Sequence, residues 1–298
     1  MTNTQLTYPR VLIIAGSDSS GGAGIQADIK TCAAFGVYSA TAITAVTVQN
    51  TLGVTDVQMM PAELVAAQMR SVLTDIGADV IKIGMLGNAD IINAVADMID
   101  ELAGDTTVVL DPVMVATSGD VLLEDDAITA LKERLIPHAD VITPNVPEAA
   151  RLTGMEIDDV ETLQAAGEAL LTMGAYSAVM KGGHLDGGTV MDLLITEQGM
   201  GIMSGPRLRT RHTHGTGCTL ASAIAACLAR GMDLEAAAQE ARDFVFEAIS
   251  TAPGLGSDDK NAHGPLNHGL AAIGDVPAND DVPKSGGKAN PFSALKDL

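Results

Sequence analysis

Short aliphatic runs alternate with amphipathic stretches along most of this 298-residue chain. The aliphatic runs are typical of strands buried on both faces, and they predict strands at 11–15, 42–48, 79–84, 107–110, 140–143 and 177–180. The stretches between them space their apolar residues as helices do, and they predict helices near 25–35, 61–73, 89–102, 124–135 and 160–173. Alternating strands and helices favour a doubly wound α/β fold, in which a mostly parallel sheet lies between two layers of helices.

The pattern changes between Thr189 and Arg211 to two short β-like pieces, 190–196 and 201–204, which predict antiparallel strands at the edge of the sheet. Helices are predicted again from residue 216 and over 234–249. Beyond Pro253 the chain is rich in Gly, Pro, Asp, Asn and Lys and poor in aliphatic residues, which predicts a disordered tail over 253–298. Residues 1–252 are therefore expected to form a single domain.

The most informative chemical pattern is a glycine-containing turn that leads into an apolar helix, within residues 213–230. Gly215 and Gly217 precede a helix whose first amides lack intrahelical acceptors and carry the positive end of the helix dipole, so a phosphate can approach the backbone there. Cys218 falls in the first turn, where the pKa of a thiol is expected to fall below its free value of roughly 8.5. It is a candidate base or nucleophile. A tight turn followed by a buried structural cysteine would give the same pattern.

Polar residues follow several of the predicted strands, at the edge of the sheet where open α/β folds bind ligands. Asp111, Asn145 and Glu148 offer the oxygen ligands that Mg²⁺ uses, and the ammonium group of Lys181 can neutralise a phosphate during transfer. Asn145 can instead cap the next helix, and Lys181 can instead extend into solvent. Together these residues predict a site for phosphoryl transfer, in which a protein mainly positions groups and neutralises charge.

The glycine-rich loop 16–24 follows the first strand and is expected to form a wall of the substrate pocket. It is not a P-loop, because no Lys-Ser/Thr pair follows its glycines, and alanine at position 27 excludes the GxGxxG motif. Lys82 lies within a predicted strand and is expected to be structural. His184 and His214 have no carboxylate at triad-like spacing and receive no hydrolase role.

The composition excludes several classes of partner. The net charge of −21 repels nucleic acid and anionic membranes, and an aromatic content of 2% leaves little for base stacking. No apolar run reaches the roughly 20 residues of a membrane span, and residues 1–10 show no signal-peptide pattern. The cysteines at 32, 218 and 227 have neither metal-ligand nor disulfide spacing, which indicates a reducing, cytoplasmic location.

Seven motifs resemble, in order, those of the hydroxymethylpyrimidine/phosphomethylpyrimidine kinases of thiamine biosynthesis, which belong to the ribokinase-like superfamily. They are Ala15–Asp28, Thr44–Asn50, Lys82–Leu86, Leu110–Met114, Thr143–Ala149, Met180–His184 and Thr213–Thr219. In these kinases cysteine stands where the sugar kinases of the superfamily have aspartate. The resemblance extends from about residue 11 to 249 and implies a three-layer α/β/α fold with a short antiparallel edge.

The same resemblance implies a role for each residue of the site. The aminopyrimidine would lie against residues at strand ends: Gln49, Gly16, Asp28, Met85 and Val113. The anion hole would be formed by four consecutive residues, Gly215, Thr216, Gly217 and Cys218, with the Cys218 thiolate as base on the hydroxymethyl group. Mg²⁺ would be held by Asp111 and Glu148, and the phosphates of ATP by Lys181, Asn145 and Thr216. The carboxamide of Gln49 has an independent rationale, because its donor and acceptor complement an amino group beside a ring nitrogen.

We therefore expect an ATP- and Mg²⁺-dependent kinase that phosphorylates 4-amino-5-hydroxymethyl-2-methylpyrimidine and then its monophosphate, and that forms a homodimer as its family does. A pyridoxal or pyridoxine kinase is an alternative, because those relatives share the cysteine and the anion hole. A non-catalytic regulator that binds the pyrimidine is another, although the presence of Cys218, Asp111 and Lys181 argues against it. A thiol redox protein would need a resolving cysteine, which the spacing does not provide.

Overall fold

The computed structural model of this protein describes residues 8–116, 119–120 and 122–269. Within these ranges one sheet contains nine strands, which are β1 (Arg10–Asp18), β2 (Tyr38–Asn50), β3 (Gly53–Met59), β4 (Val80–Ile83), β5 (Thr107–Leu110), β6 (Val141–Ile142), β7 (Ser177–Met180), β8 (Thr189–Thr196) and β9 (Gly199–Pro206). The α-helices are α1 (Gly24–Ala34), α2 (Ala62–Asp75), α3 (Ala89–Leu102), α4 (Asp125–Ala130), α5 (Val146–Thr153), α6 (Val160–Thr172), α7 (Thr216–Ala229) and α8 (Leu234–Ser250).

The strands lie in the order β3-β2-β1-β4-β5-β6-β7-β8-β9. Strands β2, β1, β4, β5, β6 and β7 run parallel to one another, whereas β3, β8 and β9 each run antiparallel to their neighbours. This confirms the predicted parallel centre and the antiparallel edge after Thr189. It also places the carboxyl ends of all the parallel strands along the same side of the molecule, where their polar residues meet.

Alternate residues of β1 enter two different cores, which is why the strand is aliphatic throughout. Leu12 and Ile14 pack with residues of α2, α3, α5 and α6, and Val11 and Ile13 pack with residues of α1, α7 and α8. All four side chains are buried. The predicted three-layer α/β/α architecture is therefore confirmed, with the sheet as the middle layer.

Two elements were not predicted from the hydrophobic pattern. Strand β3 is largely exposed and has no aliphatic run, and it is held in place by antiparallel pairing with β2. Helix α5 begins at Val146 and carries Pro147 in its first turn, where proline is tolerated because the amide there lacks an intrahelical acceptor anyway. The helix predicted near 124–135 is confirmed in extent, with α4 at Asp125–Ala130 continuing into a π-helical segment at Leu131–Leu135.

Residues 253–269 differ from the predicted disordered tail. They return from the end of α8 across the domain, and Ala262, Leu266 and His268 are buried there. Leu266 belongs to the core that α1, α7 and α8 share. The remainder of the predicted tail, 270–298, lies outside the described residues. In the part of the chain that the structure describes, no helix is both long and apolar enough to cross a membrane.

Candidate active site

A cavity of about 660 Å³ opens at the carboxyl ends of the parallel strands. It is lined by twelve of the residues predicted from the sequence to form the site: Gly16, Gln49, Met85, Asp111, Val113, Asn145, Glu148, Lys181, Gly215, Thr216, Gly217 and Cys218. These residues come from positions as far apart as 16 and 218, and the sheet brings them together because each follows or ends a strand or begins α7.

The anion-hole turn, defined here as residues 213–218, leads directly into α7. Gly215 is the N-cap residue of α7 and has a left-handed backbone with φ 88°, a conformation that favours glycine. A Cβ on Gly215 would also overlap the carbonyl oxygen of Gly22. Among the described residues the amides of Gly217 and Cys218 have no backbone acceptor. They are therefore available to an anion at the positive end of the helix.

Gly217 brings the anion-hole turn next to the charged side chains at the strand ends. A Cβ placed on Gly217 would lie 3.2 Å from Lys181 Nζ and 3.5 Å from Asp111 Oδ2. Without that methyl group the space beside the Gly217 amide is open to a ligand that contacts the lysine at the same time. Backbone donors and an ammonium group thus converge on one point, which is the arrangement that stabilises a negatively charged transferring group.

Lys181 lies between two buried carboxylates. Its Nζ atom donates to Asp111 Oδ1 at 2.9 Å and lies 3.6 Å from Glu148 Oε2. Thr143 Oγ1 donates to the same Asp111 oxygen at 3.1 Å. Although burial lowers it, the pKa of Lys181 is raised above its usual range by Asp111 and Glu148. Lys181 is therefore charged at any working pH. When both carboxylates are ionised, the cluster of Asp111, Glu148 and Lys181 carries one net negative charge.

Glu148 has a perturbed pKa and also stabilises α5. Burial, together with the neighbouring Asp111 charge, raises the pKa of Glu148 to about 7, while Lys181 opposes the shift. Asn145 Oδ1 accepts from the Glu148 amide at 2.9 Å, and Glu148 Oε2 accepts from the Asn145 amide at 2.8 Å, which is a capping box. The structural alternative for Asn145, a helix cap, is therefore confirmed. Its predicted contact with ATP phosphates stays a prediction.

Cys218 lines the cavity and is half-buried, but its electrostatic surroundings differ from the prediction. Burial raises the pKa of the Cys218 thiol to about 12, and Asp28 and Asp111 raise it further, whereas Lys82 lowers it. The predicted lowering of this pKa by the helix N-terminus is therefore wrong, because burial removes the thiolate from water and two carboxylates lie nearby.

Asp28 does not line the cavity, so the prediction that it forms part of the pyrimidine pocket does not match its position. It is fully buried and accepts hydrogen bonds from Lys82 Nζ at 2.9 Å on both carboxylate oxygens and from Ser222 Oγ at 2.7 Å. The pKa of Lys82, which burial alone would lower, is raised by Asp28. This ion pair joins α1 to β4 beneath the site, in agreement with the structural role predicted for Lys82.

The carboxamide-bearing residue Gln49 also lines the cavity. Its Oε1 atom accepts from Thr47 Oγ1 at 3.0 Å, and its backbone exchanges hydrogen bonds with Ser19 Oγ at 2.9 Å in both directions. The hydrogen bond to Oε1 thus orients the carboxamide before any ligand binds. Gly16 and Met85 also line the cavity and lie together, since a Cβ on Gly16 would be 3.1 Å from Met85 Sδ.

The sequence did not indicate two parts of the site. One is an apolar wall from the β8–α8 region, formed by Val190, Leu208, Leu220, Val245, Phe246 and Ile249. The other is His214, whose Nε2 donates to Asp18 Oδ2 at 2.8 Å. Although burial raises it, the pKa of Asp18 is held well below its usual range by hydrogen bonds from His214, Ser20 and Ala23. These residues are nearly 200 positions apart, so no sequence spacing could have paired them.

The described residues contain no cluster of three or more His, Cys, Asp or Glu side chains suited to bind a metal by themselves. Asp111 and Glu148 provide two carboxylates on one side of the cavity. Two carboxylates supply only part of the coordination of a hard divalent cation, and water and phosphate oxygens would supply the rest. Enzymes that use nucleotides usually bind Mg²⁺ in this way.

Comparisons with known proteins place these features in one family. The family model described as phosphomethylpyrimidine kinase matches residues 18–267. The chain is 47% identical, over 264 residues, to a hydroxymethylpyrimidine/phosphomethylpyrimidine kinase of Haemophilus influenzae, with 87% of this chain and 96% of the relative covered. Among solved structures, a phosphomethylpyrimidine kinase of Clostridium difficile is 40% identical with a TM-score of 0.72 and covers 80% of this chain and 99% of its own.

A second structural likeness is to an enzyme with another acceptor. The pyridoxal kinase of Staphylococcus aureus, solved in complex with AMP-PCP and pyridoxal, has a TM-score of 0.79 at 33% identity and covers 88% of this chain and 94% of its own. The fold of the chain is thus similar to the folds of a phosphomethylpyrimidine kinase and of a pyridoxal kinase.

Proposed function

The chain belongs to the phosphomethylpyrimidine kinase family of phosphotransferases, and from this premise we propose that it uses ATP to phosphorylate 4-amino-5-hydroxymethyl-2-methylpyrimidine and then the resulting monophosphate, in thiamine biosynthesis. The observation that supports it best is the convergence of three kinds of group at one point of the cavity. The amides at the start of α7, the Lys181 ammonium and the Cys218 thiol all lie where a phosphoryl group would pass between donor and acceptor.

The pyrimidine is proposed to lie against Gln49, Gly16, Met85 and Val113. The Gln49 carboxamide, already oriented by Thr47, would accept from the exocyclic amino group or donate to the ring nitrogen beside it. Gly16 packs closely against Met85, since a Cβ on Gly16 would lie 3.1 Å from Met85 Sδ, and both would contact the ring. The hydroxymethyl group would then face the anion-hole turn.

The transfer step needs a proton acceptor and a stabilised phosphoryl group. The Cys218 thiolate is proposed to take the proton of the hydroxymethyl group while the alcohol oxygen bonds to the γ-phosphorus of ATP and ADP leaves with the electron pair of the broken P–O bond. The amides of Gly217 and Cys218 would donate to the oxygens of the moving group, and Lys181 would neutralise part of its charge. Positioning and electrostatics account for most of the catalysis in such transfers.

Mg²⁺ fits the carboxylates present. Lys181 compensates only one of the two charges on Asp111 and Glu148, and burial with an uncompensated neighbour is the reason for the raised pKa of Glu148. These two carboxylates would hold the ion, directly or through water, together with phosphate oxygens of ATP. When bound, the ion would neutralise charge on the phosphates during transfer.

The adenine ring of ATP is proposed to occupy the apolar wall, where Val245, Phe246 and Ile249 of α8 face Val190 and Leu208. Pockets for aromatic ligands are lined mainly by apolar side chains with few polar groups, and this part of the cavity has that character. From there the phosphates extend toward Lys181 and the start of α7.

We also propose that the protein is a cytoplasmic homodimer. The family resemblance and three free cysteines support these assignments. The apolar side chains Val46, Val48 and Leu52 are exposed on β2 and its turn, as residues of a subunit interface often are in an isolated chain. Light scattering during size-exclusion chromatography would give a mass of about twice 30.5 kDa for a dimer.

The test of the proposed function is ADP release from ATP with Mg²⁺, measured under one set of conditions with the hydroxymethylpyrimidine, its monophosphate and pyridoxal. Pyridoxal is included because the structure is similar to a pyridoxal kinase. Turnover of both pyrimidines with a higher kcat/KM than that of pyridoxal supports the proposal. A preference for pyridoxal would favour the alternative kinase, and saturable pyrimidine binding without ADP release would favour a regulator.

A further inference from the structure

The C-terminal strap, defined as residues 254–269, contacts the turn after β2 and the anion-hole turn. At the turn after β2, the amide of His263 donates to Thr51 O at 2.7 Å, and the amide of Ser257 donates to Thr51 Oγ1 at 3.2 Å. Thr51 is two residues beyond Gln49, in the turn that follows β2. The strap therefore begins its return at the strand end that presents the proposed pyrimidine-binding side chain.

The strap next meets the anion-hole turn. The amide of His214 donates to Gly264 O at 3.1 Å, and His214 forms an isolated parallel β-bridge with Pro265. A Cβ on Gly22 would lie 3.2 Å from the Pro265 ring, so the strap, the turn and the loop after β1 are packed together. The backbone of the residue just before Gly215 is thus held by the strap, while its imidazole is held by Asp18.

The third contact reaches α7 itself. His268 Nε2 lies 2.9 Å from Thr219 Oγ1, and Thr219 Oγ1 donates to Gly215 O at 2.8 Å. The Thr219 hydroxyl thus lies between His268 Nε2 and Gly215 O, and the tautomer of His268 sets the direction of the bond between His268 and Thr219. Both side chains are buried. The result is a chain of two hydrogen bonds from the strap to the carbonyl of the N-cap residue.

His268 is suited to hold this arrangement because it stays neutral. Burial, with smaller contributions from Lys30 and His214, lowers the pKa of His268 to about 4. A neutral imidazole keeps one proton on one nitrogen and adds no positive charge that would compete for the phosphate. The bond between His268 and Thr219 holds the Thr219 hydroxyl, which donates to Gly215 O beside the Thr219 amide that donates to the same carbonyl at 2.9 Å. The peptide planes that follow Gly215 carry the free amides of Gly217 and Cys218.

We propose that His268 is a positioning residue of the anion hole, which acts through Thr219 and Gly215 to aim the free amides at the start of α7. This inference rests on the proposed function of those amides in phosphoryl transfer. It gives the C-terminal strap a part in catalysis, although no strap residue touches the substrate. A side chain that only filled space in the core would stabilise the fold without this effect on the transition state.

The test compares His268→Ala, His268→Gln and Thr219→Val. Since misplacement of a catalytic group by about 1 Å can cost up to about 100-fold, we expect His268→Ala to lower kcat by roughly 10- to 100-fold with KM for the pyrimidine within about twofold of the unchanged protein. Gln places an amide donor at a similar reach and should restore most of kcat. In the Thr219→Val background, His268→Ala should cause no further loss, because the two residues act through one path.

A matched control is His138→Ala, the same chemical change at a histidine that pairs with Asp100 on the surface. It should leave kcat unchanged. A readout independent of turnover is the rate at which iodoacetamide alkylates Cys218, followed by mass spectrometry of its peptide, which should change in His268→Ala and Thr219→Val but not in the control. If His268→Ala fails to fold, His268→Gln and Thr219→Val still test the inference.

Several outcomes would overturn the inference. They are an unchanged kcat and an unchanged Cys218 alkylation rate in folded His268→Ala, or additive losses in the double variant. Absence of turnover in the unchanged protein would instead contradict the proposed function. The alkylation experiment would then still decide whether His268 sets the geometry of the turn, so the two failures are distinguishable.

Discussion

Replacement of Cys218 by alanine should separate the two phosphorylation steps. In the first step the acceptor is an alcohol that must lose its proton, and a positioned base contributes about 10²- to 10⁴-fold. In the second step the acceptor is a phosphate monoester, whose second pKa is about 6, so its attacking oxygen is already ionised at pH 8. We therefore expect Cys218→Ala to lower kcat of the first step by about 10²- to 10⁴-fold and to change the second step much less.

The structure gives this prediction a pH dependence. Burial raises the pKa of the Cys218 thiol to about 12, so at pH 8 roughly one molecule in 10⁴ carries the thiolate before substrate binds, at a factor of ten per pH unit. The active form is the deprotonated one, and its fraction grows as the pH rises toward that pKa. The kcat/KM of the first step should thus increase about tenfold per unit between pH 7 and pH 9, whereas that of the second step should be nearly level.

The assay is the initial rate of ADP release at pH 7 to 9 with each pyrimidine as the only acceptor. Cys227→Ala is the matched control, because Cys227 lies on the same helix but is fully buried outside the cavity. It should leave both steps unchanged in rate. An equal loss in both steps for Cys218→Ala would refute the base role, since a defect of the anion hole or of folding affects either acceptor. So would a first step that does not depend on pH.

Variants at three further places test Gln49, Lys181 and the buried pair of Lys82 and Asp28. Gln49→Ala should raise KM for both pyrimidines by about 3- to 10-fold in steady-state kinetics, the value of one hydrogen bond, and an unchanged KM would remove Gln49 from the pocket. Lys181→Met should lower kcat by about 10²- to 10³-fold with little effect on KM for the pyrimidine, and a change in KM alone would contradict its role in transfer. Lys82→Met or Asp28→Leu alone should lower the free energy of unfolding in urea by about 3 to 5 kcal/mol, because each leaves one unpaired buried charge. The double variant should recover much of this loss, because it leaves none. Strictly additive losses would argue against the pair.

The general position of the site could be predicted from the sequence for a simple reason. Asp111 and Lys181 each come directly after a short aliphatic run, and parallel strands place such residues at a common edge. The start of α7 was equally visible, because Gly215 and Gly217 stand directly before a regular helical pattern of apolar residues. Local signals of this kind need no knowledge of tertiary contacts.

Other features depended on contacts that the sequence does not display. The pKa of Cys218 is set by how much water packing removes and by the carboxylates of Asp28 and Asp111, which are distant in the chain. The composition of the strap is polar and glycine-rich, which predicts disorder. Its order comes from hydrogen bonds to Thr51 and His214, each with partners about 50 or more residues away, which composition cannot indicate.

The buried pair of Lys82 and Asp28 bears on how the domain assembles. Lys82 belongs to the sheet and Asp28 to α1, so a chain in which only one of these elements has reached its place would hold a lone charge out of water. Such partly folded states are disfavoured by several kcal/mol, about the cost of a single unpaired ion in a protein interior. Helix α1 and the central strands are thereby expected to order together in one cooperative transition, with few populated intermediates that lack the helix.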